Sequence, residues 1–425
     1  MLPLLLAEFT VMLGFGALLP VLPLYVQEQG IDATTLGLIM AAWAIGKLLF
    51  EPIFGWWADR HARKPQMVVA LVIFGISIVL MLFATTAAAL FALRFINGAA
   101  AGMYDPAARG MLVQGTEEDE RGEAFGIYGA FQIGGFVFGP AIGAFAAAIF
   151  GGFVFPFVFT AALALAASAM LFFRLSEHPH VVEDERFERH PDAKPLPSGV
   201  AFAAAETPGV PESQPPEPRS AARRQAPLSA MWNRTLIAAF ILQFGLHLSF
   251  GVFEVVWSLY LIALGATLGW VGLTFMLFAI PEMFVSPIAG RVVDRKGPWR
   301  LIIPGSVIVL FSGAVYAIAT EPIMPTLVVP IESAAAALIM PALYAMAAKG
   351  TPQGRTSTAQ GLFGAIGTLA LIVAAVVSGV LFERGLGLPF WFFVIGFGAC
   401  FAAALLVIRG GRTVGRQPPI AEPAA

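Results

Sequence analysis

Eight charged residues stand inside long apolar runs of this chain: Glu8, Lys47, Glu51, Arg94, Asp105, Glu254, Glu282 and Glu332. Charge in such surroundings is expensive, so each residue needs a partner or a task. A carboxyl in a dry cavity can take up and release a proton, and it can also pair with a cationic ligand. Proton and ligand then compete for one place, which is the basis of exchange. Asp105 and Arg109, spaced i, i+4 near the end of their run, are explained most simply by a local ion pair. Arg94 lies too deep for easy snorkelling. For Glu8, Glu254 and Glu332 the plain alternative is a structural hydrogen bond to a neighbouring helix. Glu282 and Lys47 occupy matched places in the two halves, and a charge pair between them is one possibility the sequence leaves open. No nucleotide-binding loop, metal-ligand cluster or nucleophile–base signature appears, so the reading is of a non-enzyme that needs no cofactor and does not hydrolyse ATP.

The elements that position these residues follow from composition. The chain has 425 residues, 58% hydrophobic and only 12% charged, with a mean hydropathy of +0.80. Apolar runs of about 20 residues recur along it, each long enough to cross the hydrocarbon layer as a helix. They predict twelve spans near 2–26, 34–57, 66–86, 88–109, 123–148, 153–174, 234–263, 268–290, 299–319, 325–348, 357–382 and 388–409. The first run has no basic flank and leads into Pro20-Val21-Leu22-Pro23, so it reads as a retained helix. The single cysteine, Cys400, excludes an intramolecular disulfide framework, and the net charge of −2 points to no nucleic-acid partner.

Of the 25 Lys and Arg residues, all but Lys47, Arg94 and Arg384 fall in one alternate set of connections or at the termini. The positive-inside rule places that set, with both termini, in the cytoplasm. Residues 175–232 are Pro-rich and poor in bulky apolar side chains, which predicts a flexible linker. It separates a six-helix bundle at 1–174 from a second at 233–409, followed by a tail at 410–425. The acidic run Glu117-Glu118-Asp119-Glu120 is read as a solvated loop.

The halves are related. A shift of 294 − 59 = 235 residues lays Pro52, Gly55, Asp59 and Arg60 on Pro287, Gly290, Asp294 and Arg295, with no gap. Tyr25 and Gly30 fall on Tyr260 and Gly265, and Pro106 on Pro341. Two related halves in parallel register predict a transporter that rocks about a central site.

Several stretches carry a resemblance. Gly55-x-x-x-Asp59-Arg60-x-x-Arg63-Lys64 resembles the cytoplasmic loop signature of the major facilitator superfamily, with Ala62 where Gly is usual. Arg94-x-x-Asn97-Gly98 resembles that family's fourth-helix motif. Gly135-x-x-x-Gly139-Pro140-x-x-Gly143 is similar to the fifth-helix motif of its antiporters, and Pro20-Val21-Leu22-Pro23 to the first-helix signature of its twelve-helix, proton-coupled drug exporters. The resemblance implies an all-α fold of two pseudo-twofold-related six-helix bundles, in an inner or plasma membrane. It also implies that Asp59 accepts hydrogen bonds from the N-terminus of the eleventh span near Thr356, with Arg109 as a second partner. Asp294 would act likewise near Gly122. Gly55, Arg60, Arg63, Lys64, Asp105, Gly290 and Arg295 complete that latch, although the basic residues also serve to keep the loop inside.

The resemblance implies that spans one, four, seven and ten line the cavity. Proton coupling is then assigned to Arg94, Glu332, Glu8 and Glu254. Tyr25, Asn97, Gln132, Gln243, His247, Trp257, Tyr260 and Glu282 are assigned to the substrate cavity, with His247 read as a packed residue rather than a proton carrier. Gly135, Gly139, Pro140 and Gly143 form a close-packed, kinked face of span five. The expected activity is proton-driven export of small lipophilic compounds, cations among them, by a functional monomer whose partners are substrate, protons and lipid. The rivals are a specific metabolite exporter, an uptake symporter or uniporter, and a non-transporting receptor that keeps the fold.

Overall fold

A computed structural model describes residues 2–116, 121–176, 228–352 and 356–409. Most of the linker, the tail and the acidic run lie outside the described residues. Twelve spans are present among the described residues. The first is broken into α1 (Leu2–Leu18) and α2 (Leu22–Glu28). The next five are α3 (Ala33–Ala58), α4 (Arg63–Met81), α5 (Ala87–Gln114), α6 (Arg121–Phe150) and α7 (Val154–Arg174). The second half holds α8 (Arg234–Ala263), α9 (Leu268–Lys296), α10 (Trp299–Ile318), α11 (Ile323–Gly350), α12 (Thr356–Arg384) and α13 (Leu388–Arg409).

The break in the first span has a local cause. Pro20 has no N–H to give and its ring disfavours helix at Leu19, so the chain closes tight turns from Leu19 to Gly16 and from Val21 to Leu18 before α2 begins. Pro140, in contrast, sits inside a continuous α6. The fourth span runs on to Gln114, five residues past its expected end, which carries Arg109 on helix.

The 235-residue offset reappears as geometry. Gly30 and Gly265 both hold positive φ, 77° and 93°, at the ends of spans one and seven, where a residue with Cβ would be strained. Asp32 caps α3 by accepting from Thr35 N, and its counterpart Thr267 caps α9 by accepting from Trp270 N. The Thr35 backbone N–H holds the Asp32 carboxyl below the usual carboxylate range. The Tyr25 hydroxyl donates to the Met81 carbonyl at 2.9 Å, and Tyr260 donates to the Tyr316 carbonyl at 2.6 Å.

Within the first half, glycines set the helix spacing. A Cβ at Gly135, Gly139 and Gly143 would lie 2.3, 2.5 and 1.9 Å from the carbonyl oxygens of Phe9, Leu13 and Ala17. The fifth-span stripe is therefore the seat of α1. Gly46, Gly98 and Gly102 do the same between α3 and α5, with a Cβ at Gly98 only 1.9 Å from Trp43 O. A backbone clash of that size cannot be relieved by a rotamer change. Gly98→Ala is expected to lower stability by about 1–3 kcal/mol or more, read as a lower melting temperature of the detergent-solubilised protein.

The halves meet through α3 against α12, α6 against α9, and α2 and α3 against α8. These contacts gather at the end opposite the Asp59 loop. There a Cβ on Gly37 would strike Ala375 O at 2.3 Å, one on Gly379 would strike Ala33 O at 2.3 Å, and one on Gly272 would touch Ala144. At the Asp59 end the same helices part: among the described residues a Cβ on Gly290 would meet nothing within 4 Å, and one on Gly55 would meet only Pro106 of its own half. Among the described residues the halves touch at this far end and part at the basic end.

Candidate functional site

Between the halves lies a cavity of about 350 Å³. Phe15, Trp43 and Phe136 face it from the first half, and Phe250, Phe253 and Trp257 from the second. Three carboxyls reach it, Glu254, Glu282 and Glu332, all from the second half. Glu332 is 2% exposed, and its Oε2 accepts from the Tyr316 hydroxyl at 2.7 Å. Tyr316 is itself locked in a cluster with Trp257, Tyr260 and Phe390. Among the described residues no cation lies within ion-pair distance of Glu332 or Glu282.

Arg94 is 2% exposed and pairs at 3.4 Å with Glu254. This is the one ion pair among the described residues that joins the two halves. Arg94 is about 10 Å along α5 from the far end, at 1.5 Å per residue. A second contact between halves lies farther out. The Glu383 carboxylate, at the end of α12, accepts from Thr34 N at the start of α3 at 2.9 Å. An anion facing a helix N-terminus across the halves, expected at the basic end for Asp59, is thus present at the far end.

At the basic end the Asp59 side chain is 75% exposed, and its nearest cation is Arg63 of its own turn at 4.0 Å. Arg63 instead donates to the Gly110 carbonyl at 2.8 Å, and Arg60 lies over the Trp56 ring. Arg109 pairs with Glu51 at 3.4 Å and Asp105 at 3.6 Å, not with Asp59. In this state the contact of Asp59 with Arg109 is not made, and the Glu51 and Asp105 carboxylates occupy that guanidinium. Arg295 is exposed at the end of α9, and the side chains of Asp294 and Thr356 lie outside the described residues.

Some placements differ from expectation. Lys47 does not meet Glu282. The glycine seam between α3 and α5 brings it to Asp105 at 2.5 Å within one half. Tyr25 and Tyr260 are pins at the far end rather than cavity residues, since each hydroxyl is spent on a carbonyl of the same half. Asn97 is buried inside the first half, where it donates to Ser77 at 3.2 Å. Gln243 is packed beside Gly367 and does not line the cavity, whereas His247, Trp257 and Glu282 do. Gln132 donates to Glu8 Oε1 at 2.8 Å, at the side of a smaller chamber.

Sequence reasoning missed Phe15, Trp43, Phe136, Tyr316 and Glu383. The repeat offered one signal. Tyr316 matches Met81 (81 + 235) and Glu332 matches Asn97 (97 + 235), so hydroxyl and carboxyl both stand in the second half alone.

The Major Facilitator Superfamily family model matches residues 4–331 and 240–424. Multidrug resistance protein 2 of Bacillus subtilis is 29% identical over 182 residues, which is 43% of this chain and 45% of that protein. Quinolone resistance protein NorA of Staphylococcus aureus is 32% identical over 162 residues, 38% of this chain and 41% of that protein. The aligned stretch spans less than half the length of these curated relatives. Among solved structures, a mutant of the nucleoside transporter NupG superposes with a TM-score of 0.72 at 14% identity, covering 96% of this chain and 99% of that one. The inward-facing, occupied form of a bacterial homolog to the human lysosomal transporter Spinster gives 0.72 at 14%, covering 99% and 98%. The human organic anion transporter MFSD10 gives 0.61 at 19%, covering 95% and 98%. At these identities the likeness is one of fold.

Proposed function

This chain belongs to the major facilitator superfamily, and on that premise we propose that it is a proton-driven exporter of small lipophilic compounds, cations among them. The observation that supports the reading is the cavity itself: aromatic walls from both halves, with Glu282 and Glu332 facing it unopposed by any cation among the described residues. An aromatic, loosely specified wall takes varied apolar bodies, and the carboxyls favour positive charge.

In this reading the basic end faces the cytoplasm, and the structure is the state that loads substrate from inside. Export requires the far end to open. The Arg94–Glu254 pair and the Glu383–Thr34 contact must then part, while the Asp59 loop closes on the other side as the latch. With the far end open, Glu254 and Glu332 meet the outside and take up protons. As it closes again, Arg94 returns to Glu254. The pair forms with the ionised carboxylate, so that proton must leave through the cavity towards the inside. A proton moving inward against a neutral compound releases about 2.3 kcal/mol per 100 mV, enough to hold more than a tenfold gradient of that compound, whereas exchange for a monovalent cation moves no net charge and draws on the pH difference alone, about 1.4 kcal/mol per pH unit.

The test uses everted membrane vesicles carrying the protein, energised to an acidic interior, while lipophilic cations and neutral compounds are added in turn. Alkalinisation of the interior on adding several unrelated compounds is expected. A response to one metabolite family alone makes the protein a narrow exporter, and acidification by an added compound makes it a symporter.

A further inference from the structure

His247 shares a face of α8 with Glu254, since 254 − 247 = 7 residues is close to two helical turns, and both line the large cavity. His247 lies about 10 Å nearer the basic end. Its ring is held by its own helix. Nδ1 stands 3.0 Å from the Gln243 carbonyl, one turn back, and Phe250 meets the ring edge-on with centres 5.6 Å apart. A carbonyl oxygen only accepts, so Nδ1 carries the hydrogen and, in the neutral ring, Nε2 keeps the lone pair. Among the described residues nothing donates to that Nε2. No carboxylate among them lies within ion-pair distance of the ring.

Against this edge of the ring α12 leaves a notch. A Cβ on Gly367 would lie 2.9 Å from His247 Cδ2 and 3.0 Å from the Nε2 atoms of both His247 and Gln243. Any side chain at 367 would fill the space on which those two nitrogens converge. One is an acceptor and the other an amide donor. Gln243 is 2% exposed, and its Oε1 has no hydrogen-bond partner among the described residues. Buried polar groups are ordinarily satisfied, and leaving them open is costly. A hydroxyl answers both nitrogens with one atom, giving its hydrogen to His247 and taking one from Gln243. An ammonium accepts nothing from Gln243, and an ether gives nothing to His247.

We infer that this notch in the cavity wall recognises a hydroxyl group on the exported compound, with His247 as the specificity-determining residue and Gln243 as the second contact. The inference rests on reading the large cavity as the seat of the lipophilic body. It adds a neutral contact two turns away from Glu254, on the side from which a compound loads. Hydroxylated lipophilic compounds are then told apart from their ethers, which an apolar wall alone does not do.

The experiment measures displacement of radiolabelled tetraphenylphosphonium from the purified full chain in detergent by biphenyl-4-ylmethanol and by its methyl ether. Tetraphenylphosphonium has no hydrogen-bond donor or acceptor, so it reports on the cavity without using the notch. The quantity read is the affinity for the alcohol over that for the ether, compared between proteins, so that partition of each compound into detergent cancels. His247→Phe keeps an aromatic ring and removes the acceptor. Gly367→Ala puts a methyl group into the notch, and it carries the test should His247→Phe fail to fold. Each is expected to lower the alcohol-to-ether ratio about 3- to 10-fold, the scale of one hydrogen bond, with tetraphenylphosphonium affinity kept. A ratio unchanged in both variants overturns the inference and leaves the notch to a bound water, with the large cavity still a ligand site. A ratio lowered by Glu282→Ala but not by His247→Phe assigns the hydroxyl to that carboxyl and overturns it as well. Failure of tetraphenylphosphonium to bind wild type removes the reading of the large cavity and the inference with it.

Discussion

Glu332→Gln is expected to reduce compound-induced alkalinisation in energised vesicles to background, while compound binding persists. The substitution is nearly isosteric, and the amide oxygen can still accept from the Tyr316 hydroxyl that now reaches Oε2 at 2.7 Å. Packing around Tyr316 and Phe390 should therefore be kept. What disappears is the carboxyl at that place. Glu332 faces the cavity, is buried, and has no cation beside it among the described residues. Such a carboxyl can exist neutral or charged at a cost that depends on what shares the cavity, and a glutamine cannot. In this state Glu254 does not stand in for it, because its charge is already matched by Arg94, and the cycle needs both carboxyls to load a proton. Unchanged alkalinisation in the variant would remove Glu332 from the coupling path. Loss of binding together with exchange would make it a ligand contact rather than a proton site. Tyr316→Phe offers a finer reading, since it removes the donor but keeps the acid. Exchange should continue with an altered pH profile.

How much of this was legible beforehand divides along a physical line. Spans were legible because twenty apolar residues in lipid have one backbone solution. The repeat was legible because caps and turns demand particular residues: Gly30 and Gly265, Asp32 and Thr267, Tyr25 and Tyr260 do matched work at matched places. The break after Leu18 was written in Pro20, yet only the competition between a helix and a tight turn decided it.

Pairings between halves were not legible. Symmetry says that Lys47 and Glu282 are equivalent, but equivalence is not contact, and the glycine seam at Gly46 and Gly98 turns Lys47 towards Asp105. The resemblance placed a carboxylate on a helix N-terminus at the basic end. That end is open here, so Asp59 is exposed and the comparable contact is made by Glu383 at the other end. Which of two ends is shut is a property of a conformation, and one sequence must encode both.

The second large effect concerns the ion pair that reports on that choice. Arg94→Ala and Glu254→Ala should each destabilise the solubilised protein by about 3–5 kcal/mol, the usual cost of leaving a buried charge without its partner. The double variant should recover most of the loss, because it removes both charges together and leaves only a cavity to fill. The geometry explains why the loss of Glu254 is not absorbed. Arg94 is 2% exposed, its Nε has no partner, and its remaining contact is the Met40 sulfur at 4.0 Å. With Glu254 gone, no described anion is near enough to replace it. Recovery of stability must not bring recovery of exchange, since the double variant has lost the cation whose return displaces a proton from Glu254. Melting temperatures of the four proteins give the cycle, and vesicle alkalinisation gives the function. Additive losses would mean that the two residues do not sense each other across the halves. Exchange restored with stability would mean that the pair only holds the far end shut. Coupling energy in the melt with exchange still absent would mark the pair as both the clasp of the far end and the device that expels the proton when the clasp closes.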